Sequence, residues 1–254
     1  MSNRVPDFAA RVAAPRPTWR DAPLATPVAG VAGLLLALAL GAFWPMYLSK
    51  PFAALDRYTH AHAAVGLAWM LLLVAQPLAI RRGRPALHRA LGRVAVLVAP
   101  AFVISGVLLA HFRFAAMDEQ TLVKEAFFLY LPLHTAVLFA LAAGLGFHHR
   151  RATALHARFM GATALLLIDP IVVRLLVFYL PALPGQTAYQ FITFGLADVA
   201  FVALVVWFRP KALDARPLWL FFGAMLLAHA LWFTFAPTPG WLAFARWFRA
   251  LPLT

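Results

Sequence analysis

The sequence predicts an all-α membrane protein with seven transmembrane helices, and three observations predict it. Apolar residues make up 63% of the 254 residues and charged residues only 12%. Together with a mean hydropathy of +0.80, that balance is outside the usual range of water-soluble domains. The apolar residues gather into seven stretches of roughly the 20 residues that a hydrocarbon span needs, at about 27–49, 59–80, 94–112, 126–147, 157–180, 187–208 and 217–236. The basic residues, finally, fall unequally on the two sides of these stretches.

That asymmetry sets an orientation. Fifteen basic residues lie on one side: Arg4, Arg11, Arg16 and Arg20 in the N-terminal tail, Arg81, Arg82, Arg84, Arg89 and Arg93 in the second loop, Arg150, Arg151 and Arg158 in the fourth, and Arg209, Lys211 and Arg216 in the sixth. The other side has six, Lys50, Arg57, Arg113, Lys124, Arg246 and Arg249, offset by Asp56, Asp118, Glu119 and Glu125. The positive-inside rule then places the N-terminus in the cytoplasm and the C-terminus outside, and the expected location is a bacterial inner membrane. The net charge of +13 is thereby topological. It argues for the lipid bilayer as partner and against nucleic acid.

Taken in order, residues 1–26 are a polar, Pro-rich tail without the apolar core of a signal peptide. The seven-helix domain is expected over 27–236 and an amphipathic tail over 237–254. Span one carries Gly30 and Gly33 as a small-residue packing face and ends in Trp44 and Tyr47; with Tyr58, and with Trp207 and Trp219 opposite, these suit interfacial belts. Span two opens with His60 and His62, which point roughly 200° apart on a helix. His62, Gly66, Trp69, Leu73 and Gln76 share one stripe. Pro85 suits the first position of the third helix, with His88 in its first turns, and His111 closes that helix at the outer interface. Pro132 and Pro170 are expected to kink spans four and five. Pro181, Pro184 and Gly185 form the turn before span six. From Gly240, Trp241, Phe244, Trp247 and Phe248 alternate with Arg246 and Arg249 as an interfacial helix.

The candidate chemistry rests on nine histidines in a chain without cysteine, which has neither thiolate ligands nor thiol nucleophiles. Helices two and four offer an outer pair, His62 and His134, and helices three and five an inner pair, His88 and His156. Such pairs are axial ligands for haem b, and two of them in series carry electrons across a membrane. Gly66 would leave room for a porphyrin edge, the inner arginines would meet propionates, and His148 is a spare inner ligand. The alternative for His88, His148, His149 and His156 is a set of solvated loop residues. A second constellation, Asp169, Asp198 and His229, comes near mid-bilayer at ~1.5 Å rise per residue, with Arg174 nearer the outside. It suits a proton path, a polar ligand pocket or a packing ion-pair network. Arg174 is expected to engage at least one of Asp169 and Asp198, directly or through water, with His229 in the same cluster. No H-E-x-x-H zinc motif and no Gly-rich phosphate loop is present.

The run H-A-H-A-A-V-G-L-A-W from His60, then L-H-R-A-L-G-R, H-A-R-F-M at His156 and L-I-D-P-I-V-V-R through Arg174 resembles an uncharacterised bacterial family of multi-pass membrane proteins, over about residues 57–178. More distantly, the order of histidines on helices two to five looks like the cytochrome b561 and ferric-reductase group. That likeness implies one haem between His62 and His134, another between His88 and His156, and a redox partner or a larger membrane complex. The resulting expectation is transmembrane electron transfer through haem b around a helix 2–5 bundle. Its alternatives are a transporter or sensor with the Asp169, Asp198 and His229 pocket, or an accessory subunit without chemistry.

Overall fold

The structure, a computed structural model, describes residues 24–181, 185–207 and 213–254. The tail arginines, Arg209, Lys211 and Pro184 lie outside the described residues. The described elements are helical, without a strand. They are α1 (Ala25–Phe43), continued by one π turn (Trp44–Leu48), α2 (Arg57–Arg81), α3 (Pro85–Ala115), α4 (Glu119–His148), α5 (Thr153–Leu165), α6 (Ile168–Tyr179), α7 (Gln186–Val206), α8 (Arg216–Thr234) and α9 (Pro239–Arg249). Seven of the resulting segments are long and apolar enough to cross a membrane, α5 and α6 together forming the fifth. The chain is therefore an all-α membrane protein. The face bearing Asp56 and Asp118 is named outer here, after the charge rule.

Local chemistry explains the helix ends. Asp56 caps α2 by accepting from Thr59 N at 2.9 Å, and Asp118 caps α4 by accepting from Thr121 N at 2.7 Å. Pro85 opens α3, as its missing N–H allows. Gly83, at φ 63°, closes α2: its N–H bonds Ile80 O and that of Arg84 bonds Ala79 O, both at 2.9 Å. This is the paired C-terminal closure that the left-handed glycine conformation permits. α3 and α4 reach further toward Pro85 and Glu119 than their apolar cores suggest, because the caps lie in the polar flanks.

Span five is interrupted at Leu166–Leu167. Pro170 has no N–H to give the Leu166 carbonyl, and Leu167 N already bonds Ala164 O at 3.0 Å, a tighter turn. Pro132 sits within an unbroken α4.

Helices α2, α3, α4 and α5 pack in sequence, and α5 also meets α2, so the four enclose a bundle. α1 lies against α2 and α6, while α7 and α8 pack on α5, α6 and α4. An aromatic layer of Trp69, Phe139, Phe159 and Phe201, all fully buried, occupies the interior and is continued by Phe221 and Met225. A second cluster near the outer face gathers Leu122, Leu129, Tyr130 and Trp232 under α9.

α9 is amphipathic as expected. Trp241, Ala245 and Phe248 are buried against the bundle, and Trp241 Nε1 donates to Ala126 O at 2.8 Å. Arg246 and Arg249 pair with Glu119 at 2.7 and 2.9 Å. The end of the chain folds over His111, whose Nδ1 lies 2.7 Å from Thr254 Oγ1. His111 is only 1% exposed; the sequence around it does not announce that residues far along the chain will cover it.

Candidate functional site

The largest concentration of interior polar groups lies in the outer half of the bundle, where α4, α6, α7 and α8 meet. Asp169, first-turn residue of α6, turns its Oδ1 toward α7 and accepts from both Gln190 Nε2 and Thr193 Oγ1. Gln190 and Thr193 are completely buried and Asp169 nearly so. The break before α6 sets this up, because it begins a fresh helix one residue before the carboxylate. On α8, His229 lies flat on Phe194, ring centroids 4.0 Å apart, with Nδ1 3.0 Å from Asp198 Oδ1. The approach is close but off the line of a hydrogen bond, and it is an ion pair only when His229 is protonated. His134, from α4, stands edge-on to His229 at 6.0 Å. Asp169 lies within electrostatic reach of both His229 and Arg174.

His134 has a defined tautomer. Its Nδ1 is 3.1 Å from the Tyr130 carbonyl, which can only accept, so Nδ1 carries the hydrogen and Nε2 the lone pair. Tyr130 stacks on the ring and its hydroxyl donates to Ala228 O at 2.9 Å, tying α4 to α8. The cluster's partners Gln190 and Thr193 belong to the opening turns of α7 and Asp198 to its middle, and His229 lies toward the end of α8.

His62 faces α3, with Nδ1 3.0 Å from Ser105 Oγ and its ring stacked on Phe102 at 5.0 Å. A side chain at Gly106 would come within 3.2 Å of the His62 ring, so the glycine makes the room for it. His60 points elsewhere, as its spacing predicts: it stacks on Phe52 at 3.7 Å and meets Tyr47 Oη at 3.0 Å. The room beside Gly66 is taken by Phe102. His62 and His134 are thus packed against different neighbours.

The inner pair is brought together. The rings of His88 and His156 stand 6.4 Å apart and nearly perpendicular. His156 Nδ1 donates to the Gly146 carbonyl at 2.7 Å, which leaves its Nε2 as the lone pair. The Gln76 amide, oriented to satisfy its neighbours, donates to His88 Nδ1 and accepts from Gly92 N at 2.9 Å. His148 is exposed, while Arg158, assigned to a loop by its charge, is buried and donates to Ala154 O and Trp207 O, each at 3.1 Å.

Among the described residues Arg174 makes no direct ion pair with Asp169 or Asp198. Nη1 donates to Pro170 O at 2.6 Å, Nε to Met46 Sδ at 3.2 Å, and the cation lies 4.9 Å from the Phe43 ring centroid. The carboxylate of Asp169, five positions earlier and so on another side of the helix, is held by α7 instead. Gln190 and Thr193 are the residues that charge and histidine spacing pass over. Their signal is the row Gln186, Gln190, Thr193, polar positions recurring at i, i+4 and i+7 in an otherwise apolar span.

Among the described residues, cavities open on the surface in at least two places. One of about 470 Å³ lies at the outer end between Asp56, Tyr58, Phe112 and Thr254, and one of about 290 Å³ beside Leu71, Leu78, Arg82 and Leu87. Neither is lined by a residue of the Asp169 cluster. Comparison with family models, with curated proteins and with solved structures returns no match.

Proposed function

We propose that this chain is a proton-linked membrane transporter or sensor, with its protonatable centre at Asp169, Asp198, His229 and His134. The His229–Asp198 pair carries this reading, an imidazole nitrogen 3.0 Å from a carboxylate oxygen in the interior of a membrane bundle. Each ionisable group inside a span costs several kcal/mol unless it is paired. A packing ion pair would need only two such groups. Here four titratable side chains converge from four helices, and neutral donors hold Asp169 in place. A proton taken up by His229 or an aspartate changes the charge of the cluster by one. α4, α6, α7 and α8 all bear on that change, which is what couples protonation to helix movement. Trp69, Phe139 and Phe201 belong to the buried apolar core, to which neither the Asp169 cluster nor the inner histidines contribute.

The test is an infrared pH titration of the lipid-reconstituted protein. A carboxylic-acid band is expected to grow as pH falls from about 8 to about 4. Asp198→Asn or Asp169→Asn should each remove part of it, and His229→Gln should displace its midpoint. A wild-type carboxyl band that all three substitutions leave unchanged would contradict the proposal.

The second reading, haem-b electron transfer, is favoured by the inner pair. His88 and His156 are 6.4 Å apart, and the carbonyl-bound Nδ1–H of His156 leaves Nε2 as donor, the arrangement of a ligating imidazole. The order of histidines shared with the cytochrome b561 group supports it. Haem b held there would supply one-electron chemistry, and Arg89 and Arg93 would stand ready for its propionates. A reduced-minus-oxidised visible spectrum of the purified protein decides it: a low-spin haem signal lost in His156→Ala supports it, and a colourless preparation supplied with haem contradicts it.

A further inference from the structure

Arg174 is a guanidinium in an apolar span whose direct partners are all uncharged: a carbonyl oxygen, a thioether and a phenyl ring. Among the described residues no carboxylate lies within ion-pair distance of it. Asp169 is in electrostatic reach, but its Oδ1 is committed to Gln190 and Thr193. The three contacts fix the group from one side. Met46 comes from the π turn that ends span one, a distortion of the kind found at binding sites, and Pro170 lies in the turn that restarts span five. Only two of the five N–H donors are used by these contacts, and Nη2 has no hydrogen-bond partner among the described residues. A planar fork with free donors matches an oxyanion. The surroundings say what carries that oxyanion. Trp44 and Met46 of the π turn and Val177 and Phe178 at the end of α6 are exposed, a mostly apolar surface with Ser49 and Lys50 at its outer edge.

We propose that Arg174 is the anion-binding residue of a site, open to lipid at the outer ends of α1 and α6, for an amphiphile with one oxyanion head on an apolar chain. The head is a carboxylate or a phosphate ester; the sources are a free fatty acid or an anionic phospholipid. The site stands on the geometry of Arg174 alone, so it can fail while the carboxyl titration of the Asp198 cluster succeeds, and the reverse.

The test is thermal melting of the chain in an uncharged detergent, titrated with decanoate, with phosphatidylglycerol and with decanol. Decanoate or phosphatidylglycerol is expected to raise Tm saturably, while decanol, with the same chain and no charge, is not. Arg174→Gln should abolish the response, and Arg174→Lys should weaken apparent affinity about tenfold, because a point charge replaces the fork. A response to decanoate alone identifies a free fatty acid as the ligand, and one to phosphatidylglycerol alone a leaflet lipid. Three results overturn the site: equal responses in wild type and Arg174→Gln, equal stabilisation by decanol, or no response to either anion. If Arg174→Gln fails to fold, Arg174→Lys decides, and an unchanged affinity there overturns it.

Discussion

Removing either member of the His229–Asp198 pair leaves the other without its partner inside a span. His229 is 6% exposed, stacked on Phe194 with the edge of His134 beside it, and the Asp198 side chain is 19% exposed. Asp198→Leu or His229→Leu alone is therefore expected to destabilise by roughly 2–4 kcal/mol. The double substitution should cost less than the sum, and strictly additive losses in a thermal-melt cycle would show that the two do not act as a pair. A different residue sets the acid limit of the fold. Asp56 is only partly buried, and although burial raises its carboxyl, the Thr59 amide and hydroxyl and the Arg113 cation outweigh this and hold it below the ordinary carboxylate range. A depressed carboxyl contributes stability that is complete above its unfolded value, about 3.9, and is lost as pH falls through the folded one. Asp56→Ala should remove about 1 kcal/mol of cap at neutral pH and flatten the loss of stability seen in acid. A variant as acid-sensitive as the wild type would contradict this.

At the scale of elements, the break between α5 and α6 is the feature on which the site depends. It starts α6 at Ile168 and aims Asp169 at α7 and Arg174 at α1. Pro170→Ala restores a donor for the Leu166 carbonyl, so the variant should melt no lower than wild type yet lose the pH response of the carboxyl band. A full response would show the break to be incidental. α9 is held chiefly by burial. Trp241→Ala should cost about 3 kcal/mol and open α9 to protease, whereas Glu119→Gln, an exposed partner of Arg246 and Arg249, should change little. These elements also show how far the sequence reaches. The opening proline of α3 and the amphipathic pattern after Gly240 are local signals, and each element forms where its signal stands; the caps at Asp56 and Asp118 lie outside the apolar stretches and were passed over. The break at Pro170 was legible as a kink. Its consequence, that Asp169 turns to α7 and leaves Arg174 unpaired, was not, because it depends on which helix lies next to α6.

For the whole molecule, the seven spans and the helix 2–5 bundle follow from hydropathy and from the order of histidines, since lipid forces every apolar stretch of this length into a helix. The closeness of His88 and His156, ring centroids 6.4 Å apart, was legible because each opens its helix at the same end of the bundle. The neighbours of His134 were not, because α8, which brings His229 beside it, lies far along the chain, and helical spacing says nothing about which distant helix closes a bundle. What results is a molecule with an outer polar cluster, an aromatic layer and an inner histidine pair. The proposed function depends on whether the cluster takes up protons. Nuclear magnetic resonance of ring-nitrogen-labelled histidine, in lipid and across the range from about pH 8 to about pH 4, measures that directly. His229 is expected to change protonation within this range, and Asp198→Asn to move its midpoint. A His229 signal that stays constant throughout, and is the same in Asp198→Asn as in wild type, would contradict a protonatable centre at this pair.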